Sequence, residues 1–261
     1  ILLNIAEDHI DRHKSFEIYR SLKLRVLLES SINISKLEHK IVGNDFYDYE
    51  NYFPESHFLN NQTLEKWTIH DISNLKASLL ALKFILEEKE NIEISDVDDF
   101  LDKAIGIIAS FKKLPHRFEV LEKVKDVTYV NDSKATNFDA TLKSIESSRN
   151  LNQEGNIYLI CGGDLKEQNL GMENALIFKE IKKCFIYGKD KGLIKDLLSN
   201  FTNCVSCADL DSAYSLAKEE SQIGDLVLLS PACSSTDMFK DYRARRRKFK
   251  ELAERSSFYV L

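Results

Sequence analysis

The sequence lacks an excess of positive charge. Its 261 residues include 36 Lys and Arg against 42 Asp and Glu, which gives a net charge of −6. A general nucleic-acid binder needs surplus cations to displace the counterions of phosphate groups. We therefore expect no nucleic-acid partner. The balance instead favours a soluble enzyme that meets anionic substrates with a few placed cations.

Long hydrophobic runs and targeting signals are also missing. No apolar stretch reaches the length that spans a bilayer, and no signal-peptide pattern opens the chain. We expect a cytoplasmic protein with no membrane partner. The chain opens without methionine on the apolar, β-type run of residues 1–5. Because a natural domain rarely begins inside a strand, we expect a fragment of a longer protein.

Two familiar catalytic motifs are absent. The phosphate-cradling pattern G-x-x-x-x-G-K-[ST] occurs nowhere, and residues 187–192 lack its spacing. The residues around Ser234 and Ser235 do not read G-x-S-x-G, and no histidine follows them. A serine hydrolase is therefore disfavoured.

The cysteines do not form a disulfide or zinc pattern. There are five, an odd number, and they lie in or beside apolar runs. Cys204 and Cys207 have the spacing of a redox motif, but no second pair or flanking histidine completes a zinc site. We interpret all five as reduced, packed thiols of a cytosolic protein.

The apolar pattern changes near residue 113. Before it, helical spacing covers residues 15–30, 74–88 and 96–110, and short strand-like pieces lie at 40–42, 58–59 and 67–69. Beyond it, apolar strand candidates at 127–130, 157–161, 184–187, 204–206 and 226–230 alternate with helical stretches near 138–148, 173–182, 190–199, 211–221 and 237–256. This alternation predicts an α/β fold with a parallel sheet covered by helices on both faces. Ligands of such sheets bind at the carboxyl ends of the strands.

Polar clusters lie at the predicted strand ends and at the boundary between the two halves. They are residues 7–12, 114–119, 131–137, 162–166 and 230–237. Carboxylates with a histidine suit a divalent cation, and arginine suits phosphate oxygens. Hydroxyls and free backbone amides at a helix start suit an anionic ligand. Each cluster also has an ordinary reading, as an acidic turn, a charged linker or a helix cap.

Two groups of basic residues stand on predicted helices. Lys23 lies among apolar neighbours, so it is either an exposed helix lysine or a partly buried one that needs a partner or a modification. The run from Arg243 to Lys248 is followed by Glu251 and Glu254. We interpret this run as a solvated helix face rather than a nucleic-acid patch.

Taken in order, four segments resemble the Mur ligases, and within that family the enzymes that add D-glutamate. Residues 4–12 resemble the family's metal loop, and residues 114–117 its hinge into the last domain. Residues 131–137 and 230–235 resemble its two D-glutamate signatures. The sister ligases carry different residues at positions 131–137, so this segment indicates the D-glutamate branch. The resemblance runs from residue 1 to about residue 255.

The resemblance implies a three-domain enzyme of which this chain is a part. Residues 1–113 would belong to the central ATP-binding domain, and residues 114–261 would form a Rossmann-like α/β domain that binds D-glutamate. The implied reaction joins D-glutamate to UDP-N-acetylmuramoyl-L-alanine through an acyl phosphate, in peptidoglycan precursor synthesis. The implied cofactors are ATP and two Mg²⁺ ions, and the implied state is a monomer. Phosphoryl transfer depends mainly on positioning and charge neutralisation, which suits scattered Lys and Arg.

The family's residue roles carry over to matching positions. His9 matches a magnesium ligand, and Lys23 matches a carbamylated lysine that holds the second magnesium ion. With Lys134, which matches a position near the reacting phosphate, they form the implied catalytic set. The positions around the nucleotide are matched by Asp8, Asn74, Arg117 and Asp132. The positions that grip D-glutamate are matched by Thr136, Lys166 and Ser235.

Two positions depart from the family pattern. Asp71 stands where the family usually has asparagine, so a carboxylate would face the nucleotide. Tyr242 stands where some relatives have phenylalanine near the D-glutamate. We expect the second change to be tolerated.

Two other functions stay open. One is a folylpolyglutamate-synthetase-like amide ligase, which the segment 131–137 disfavours. The other is a non-catalytic module that binds an amino acid or a nucleotide, which the absent phosphate-cradling motif favours.

Overall fold

A computed structural model describes the chain except for residues 7–9, 31, 41–44, 59–60, 65–66, 109–116, 122, 167–173 and 259–261. The chain divides into two compact units. The first contains residues 1–6 and 13–112, and the second contains residues 7–12 and 113–261. The short helix α1 covers Ile10–His13. Among the described residues, no helix is long and apolar enough to cross a membrane.

The first unit is mainly helical. Its helices are α2 (Phe16–Leu28), α3 (Ile69–Lys89) and α4 (Val97–Ile108), which confirms the predicted helical segments. The strands β1 (Ile32–Ser35) and β2 (Asp45–Asp48) pair in parallel. Short 3-10 turns cover Leu37–His39, Glu55–His57 and Gln62–Leu64.

Where the described residues test them, the strands predicted for the first unit are wrong; the predicted pieces at 40–42 and 58–59 lie partly outside the described residues. Instead of a strand over residues 1–5, the structure has a single parallel bridge between Leu2 and Ser35. Trp67 and Thr68 lead into α3 rather than forming a strand. The apolar core contains the interior faces of α3 and α4, where Leu80 and Leu101 are fully buried.

The second unit is built on a sheet that, in the part of the chain described, has six strands. The strands are β3 (Glu119–Val120), β4 (Thr128–Asn131), β5 (Ile157–Gly162), β6 (Ile181–Tyr187), β7 (Asn203–Ser206) and β8 (Leu226–Leu229). Their order across the sheet is β3-β4-β8-β5-β6-β7. Neighbouring strands are parallel except β3, which pairs antiparallel with β4 at one edge. The five predicted strands are confirmed, and β3 is an addition.

Helices cover both faces of this sheet. They are α5 (Phe138–Leu151), α6 (Lys191–Leu198), α7 (Leu210–Glu220) and α8 (Tyr242–Phe258), with a 3-10 helix at Asn174–Glu180. Ile145 and Ile194, from α5 and α6, pack on one face, and Tyr214 and Phe249, from α7 and α8, pack on the other. Strand β5 is buried along its whole length. The predicted α/β fold with a doubly covered parallel sheet is therefore confirmed.

Candidate functional site

Three neighbouring parallel strands bring the predicted D-glutamate segments to one edge of the sheet. Strands β4, β8 and β5 are adjacent, so their carboxyl ends lie side by side. The residues that follow them are 131–137, 230–237 and 162–166, which together we call the strand-end site. Lys134 and Thr136 follow β4, Ser235 follows β8, and Lys166 follows β5. The strand order therefore brings the three segments to the same end of the sheet, and a single pocket shared by Thr136, Lys166 and Ser235 stays a prediction.

The loops after β5 and β8 are joined through their main chains. The Asp164 amide donates to the Ser234 carbonyl at 3.1 Å, and the Ser234 amide donates back to the Asp164 carbonyl at 3.0 Å. The Gly162 amide also donates to the Pro231 carbonyl at 2.8 Å. The loop that carries Lys166 is thus held against the loop that carries Ser235.

This close approach requires glycine. Gly163 has φ of +138°, a region that residues with a side chain rarely adopt. A Cβ atom placed there would lie 2.2 Å from the Ser234 carbonyl oxygen. The two loops can share hydrogen bonds only because position 163 has no side chain.

Charged side chains contact the loop that carries Lys166. An Asp190 carboxylate oxygen accepts a hydrogen bond from the Leu165 amide at 2.7 Å. Lys189 Nζ lies 3.3 Å from an Asp164 carboxylate oxygen. Lys166 itself is half-buried with φ of +50°, and its amide contacts the Asp164 carboxylate at 3.3 Å. The sequence interpretation missed Asp190 and Lys189, because both follow the next strand, β6, whose end carried no recognised motif.

Lys134 and Tyr242 come together although 108 positions separate them in the numbering. Lys134 Nζ lies 5.1 Å from the centre of the Tyr242 ring, and the Arg243 guanidinium lies 5.8 Å from it. A hydrogen bond with Arg243, helped by the charge of Lys134, lowers the pKa of the Tyr242 phenol. Two predicted site residues, one after β4 and one at the start of α8, therefore share a cation–π contact.

Asp132 is turned inward. Its side chain is only 9% exposed. One carboxylate oxygen accepts from the Phe118 amide at 3.3 Å, and the other accepts from the Ser144 hydroxyl. Burial raises the pKa of Asp132, and these hydrogen bonds and the charges of Arg117 and Arg245 oppose the rise. Its carboxylate joins the start of this unit to α5, and its predicted role at the nucleotide stays a prediction.

Relative to the parent protein, Asp132→Asn should raise the free energy of unfolding, and it should do so more at neutral pH than at acid pH. The raised folded pKa means that the stabilising contribution of Asp132 is present in full below its unfolded pKa and is lost as pH rises through its folded pKa. The gain from the uncharged amide should be about 1.4 kcal/mol for each pKa unit between the two states. Urea unfolding across an acid-to-neutral pH series measures it. A difference between variant and parent that does not change with pH would contradict the inward placement of the charge.

Arg245 was misread from the sequence. The run from Arg243 to Lys248 was interpreted as a solvated face, yet Arg245 is fully buried. Its guanidinium donates to the carbonyls of Ser133 and Cys233. A signal was available, because positions 245, 249 and 253 share one face of α8 and the other two, Phe249 and Ala253, are buried and apolar.

Arg246, the next residue, lies half-buried beside β3. Its guanidinium makes two hydrogen bonds to the Glu119 carboxylate, both at 2.8 Å. This paired contact fastens α8 to the edge strand. The interpretation as a solvated face is therefore wrong for Arg246 too.

In the first unit, the predicted nucleotide residues Asp71 and Asn74 lie on α3. Asp71 closes a capping box with Thr68: its carboxylate accepts from the Thr68 amide at 3.0 Å and from the Thr68 hydroxyl at 2.8 Å. Asn74 is half-buried one turn further on. The unusual carboxylate at position 71 thus caps the start of the helix, and its predicted contact with a nucleotide stays a prediction.

The predicted metal residues are only partly described. Lys23 is exposed on α2, with its Nζ 5.3 Å from the centre of the Tyr19 ring, so the partly buried alternative was wrong. Asp8 and His9 lie outside the described residues. Arg117 is described and exposed. Within the described parts of the chain, no cluster of three His, Cys, Asp or Glu side chains could hold a metal ion.

The fold and the strand-end site define a class: an α/β protein that places its polar groups at the carboxyl ends of parallel strands, where such folds bind ligands. Comparison with known proteins shows what the second unit is similar to. Residues 116–233 match the family described as "Mur ligase, glutamate ligase domain". This part of the chain is therefore similar to the C-terminal domain of the Mur ligases.

The curated relatives agree with this assignment. A protein named UDP-N-acetylmuramoylalanine--D-glutamate ligase from Francisella tularensis subsp. tularensis is 31% identical over 259 residues, which is 96% of this chain. A protein of the same name from Francisella philomiragia is 29% identical over 257 residues, again 96% of this chain. The chain spans 58% of the length of each relative.

Solved structures share the fold at low sequence identity. E. coli FolC in complex with DHPP and ADP has a TM-score of 0.60 and 16% identity, with 98% of this chain and 61% of that chain covered. MurF ligase from Thermotoga maritima in complex with ADP has a TM-score of 0.58 and 16% identity, with 99% and 62% covered. At this identity the similarity concerns the fold alone.

Proposed function

We propose that the full-length protein joins D-glutamate to UDP-N-acetylmuramoyl-L-alanine, using ATP, and so acts in peptidoglycan precursor synthesis. The observation that carries this proposal is the strand-end site, where Lys134, Ser235 and Lys166 follow three adjacent parallel strands. Support comes from relatives named as D-glutamate ligases, which align over 96% of this chain. The proposal includes a monomer that works in the cytoplasm and contributes to cell wall biogenesis, cell shape and cell division.

The proposed reaction has two steps. The terminal phosphoryl group of ATP passes to the alanine carboxylate, which gives an acyl phosphate and ADP. The D-glutamate amine then attacks the acyl carbon, and the tetrahedral intermediate expels phosphate to leave an amide. Lys134 would neutralise charge on the reacting phosphate and carboxylate.

D-Glutamate would be held by groups from all three strand-end segments. Lys166 supplies a cation for a carboxylate, while the hydroxyls of Thr136 and Ser235 supply hydrogen bonds. Tyr242 would border the same ligand, since its ring already contacts Lys134. A dicarboxylate amino acid suits this set, because Lys166 can meet one carboxylate while the two hydroxyls hydrogen-bond the other.

The nucleotide and metal would be served by residues predicted from the family. Those assigned to ATP are Asp8, Asn74, Asp71, Arg117 and Asp132. His9 and a carbamylated Lys23 would hold the two Mg²⁺ ions, which when bound neutralise phosphate charge. Lys23 fits this role chemically: its amine is exposed and so open to carbon dioxide, and carbamylation would replace a repelling cation with the oxygen ligands that magnesium prefers.

Phosphate release by the full-length protein tests the proposal. We expect release from ATP only when UDP-N-acetylmuramoyl-L-alanine and D-glutamate are both present. L-Glutamate that serves equally well as substrate would overturn the assignment.

Lys166→Ala in the full-length protein should raise the KM for D-glutamate by about tenfold to a hundredfold, because one charge-assisted hydrogen bond is lost. The kcat should change much less. Lys189→Ala is the matched control: it removes a neighbouring exposed cation that contacts Asp164, and it should shift the KM by about twofold at most. An unchanged KM in Lys166→Ala would remove this residue from the proposed role.

A second candidate is an amide ligase that adds glutamate to a folate-like acceptor. The observation in its favour is the shared fold with E. coli FolC. Exchanging the acceptor in the phosphate-release assay separates the two functions. A third possibility, a binding module without catalysis, predicts D-glutamate binding with no ATP-dependent turnover in the full-length protein.

A further inference from the structure

We propose that Arg245 is the positioning residue of the strand-end site, because its buried guanidinium ties together the three loops that carry Lys134, Lys166 and Ser235. For the substrate, this inference rests on the function proposed above. For the geometry, it rests on the structure of the second unit alone.

The contacts of Arg245 reach every segment of the site. Its Nη2 donates to the Ser133 carbonyl at 2.9 Å and to the Cys233 carbonyl at 3.0 Å. Its Nη1 makes a longer contact, 3.5 Å, with the Gly162 carbonyl. These carbonyls belong to residues immediately after β4, after β8 and at the end of β5. One planar fork from α8 therefore joins three strand ends.

The backbone at these loops needs such support. Ala232 and Lys166 have φ of +59° and +50°, the left-handed region that residues with a Cβ atom seldom occupy. Non-glycine residues hold this conformation only where their surroundings fix it. The hydrogen bond from Arg245 to Cys233 lies next to Ala232, and the main-chain pair of Asp164 with Ser234 lies between the two loops.

The charge of Arg245 also acts on the site. Among the described residues, no carboxylate lies within 4.0 Å of its guanidinium, and the groups it binds are neutral carbonyls. The Asp132 carboxylate is close enough for the two charges to interact, since Arg245 opposes the rise in the pKa of Asp132. Because no carboxylate pairs with Arg245 directly, its charge adds to the positive potential that favours an anionic ligand at the strand ends. Arg245 would thus position Lys134, Lys166 and Ser235 without touching the substrate.

The chain offers a matched control at the amino ends of the strands. The Arg149 guanidinium also donates to three main-chain carbonyls: those of Asn152 at 3.1 Å, Gly155 at 2.9 Å and Glu180 at 3.0 Å. These residues precede β5 and β6, whereas the strand-end site lies at the carboxyl ends of the strands. Arg149→Met therefore removes the same kind of contact without altering the strand-end loops.

The experiment compares Arg245→Met, Arg245→Lys and Arg149→Met in the full-length protein. Amide hydrogen exchange should quicken in residues 133–136, 163–166 and 232–236 of Arg245→Met, and it should stay near the parent rate there in Arg149→Met. The KM for D-glutamate should rise about tenfold or more in Arg245→Met, and less in Arg245→Lys, because lysine keeps the charge but not the fork. Arg149→Met should keep the parent KM.

The outcomes separate the two proposals. If exchange quickens in only one loop, or if Arg149→Met raises the KM as much as Arg245→Met, the positioning role is overturned. If Arg245→Met fails to fold, Arg245→Lys carries the comparison, and a parent-like KM and exchange pattern in that variant would contradict the role. If the parent protein does not use D-glutamate at all, the proposed function fails, while the exchange pattern still tests whether Arg245 joins the loops.

Discussion

Alanine in place of Gly163 is expected to lower the free energy of unfolding of the second unit by about 3 kcal/mol or more, through backbone strain and overpacking. The added Cβ atom would lie 2.2 Å from the Ser234 carbonyl oxygen and 3.0 Å from the Cys233 Cβ atom. Neither neighbour can rotate away, because the first is main chain and the second is fully buried. The φ of +138° adds strain of its own. Urea unfolding followed by circular dichroism measures the loss.

Gly192 provides the matched control in the same unit. It lies in α6, and a Cβ atom built there meets nothing within 4 Å. Gly192→Ala should therefore be neutral, or more stable by up to about 1 kcal/mol, since alanine favours a helix. If Gly163→Ala unfolded at the same urea concentration as Gly192→Ala, the close approach of the two loops would be wrong.

The second large effect is expected at the amino ends of the strands. Asp225 is 3% exposed, and its carboxylate accepts three hydrogen bonds. They come from the Asn156 amide at 2.9 Å, the Asn156 side chain at 3.1 Å and the Gln222 amide at 2.8 Å. Asp225→Ala leaves these donors without their acceptor, so we expect a loss of about 3 kcal/mol in the free energy of unfolding.

This loss should not be accompanied by a change in substrate affinity. Asp225 precedes β8, whereas the strand-end site follows it, so the KM for D-glutamate should stay at the parent value. Asp211→Ala is the control for stability: Asp211 pairs with Lys248 at 2.7 Å on the surface, and its loss should cost less than about 1 kcal/mol. Equal destabilisation by the two variants would show that the buried contacts of Asp225 carry no special weight.

The sequence predicted the strands of the second unit well because they are buried on both faces. Continuous apolar runs such as residues 157–161 leave little alternative to a central parallel strand. Strand β3 has only two residues and is defined by its pairing with β4, so no local sequence pattern predicts it. The same holds for β1 and β2, where polar residues such as Asn33 and Asp45 break the alternation that marks a half-buried strand.

The 3-10 helix at Asn174–Glu180 shows a second limit. Residues 173–182 have helical apolar spacing, and they were predicted as one helix. The structure ends the helical turn at Glu180 and begins β6 at Ile181, which is buried against the sheet. Apolar periodicity over so short a stretch does not distinguish a helix from a turn that leads into a strand.

The candidate site was predictable in its location but not in its supports. The loops that follow parallel strands all lie at the same end of the sheet. The clusters after β4, β8 and β5 are therefore neighbours, because these three strands are adjacent. The direction of an individual side chain depends on tertiary contacts. Asp132, for example, accepts hydrogen bonds from the Ser144 hydroxyl and the Phe118 amide, and its local sequence does not predict either contact. Arg245 was expected in solvent because it belongs to a basic run. That prediction gave too little weight to the buried apolar residues, Phe249 and Ala253, on the same face of α8.

The main-chain pair between Asp164 and Ser234 has a consequence for protein engineering. The loop after β5 and the loop after β8 hydrogen-bond to each other directly through backbone atoms, and the Arg245 side chain contacts both. Their lengths and Gly163 are therefore fixed by contacts that do not depend on the side chains that would grip a substrate. Grafting one of them from a sister enzyme with a different amino-acid preference should therefore fail, whereas grafting both as a single cassette should succeed.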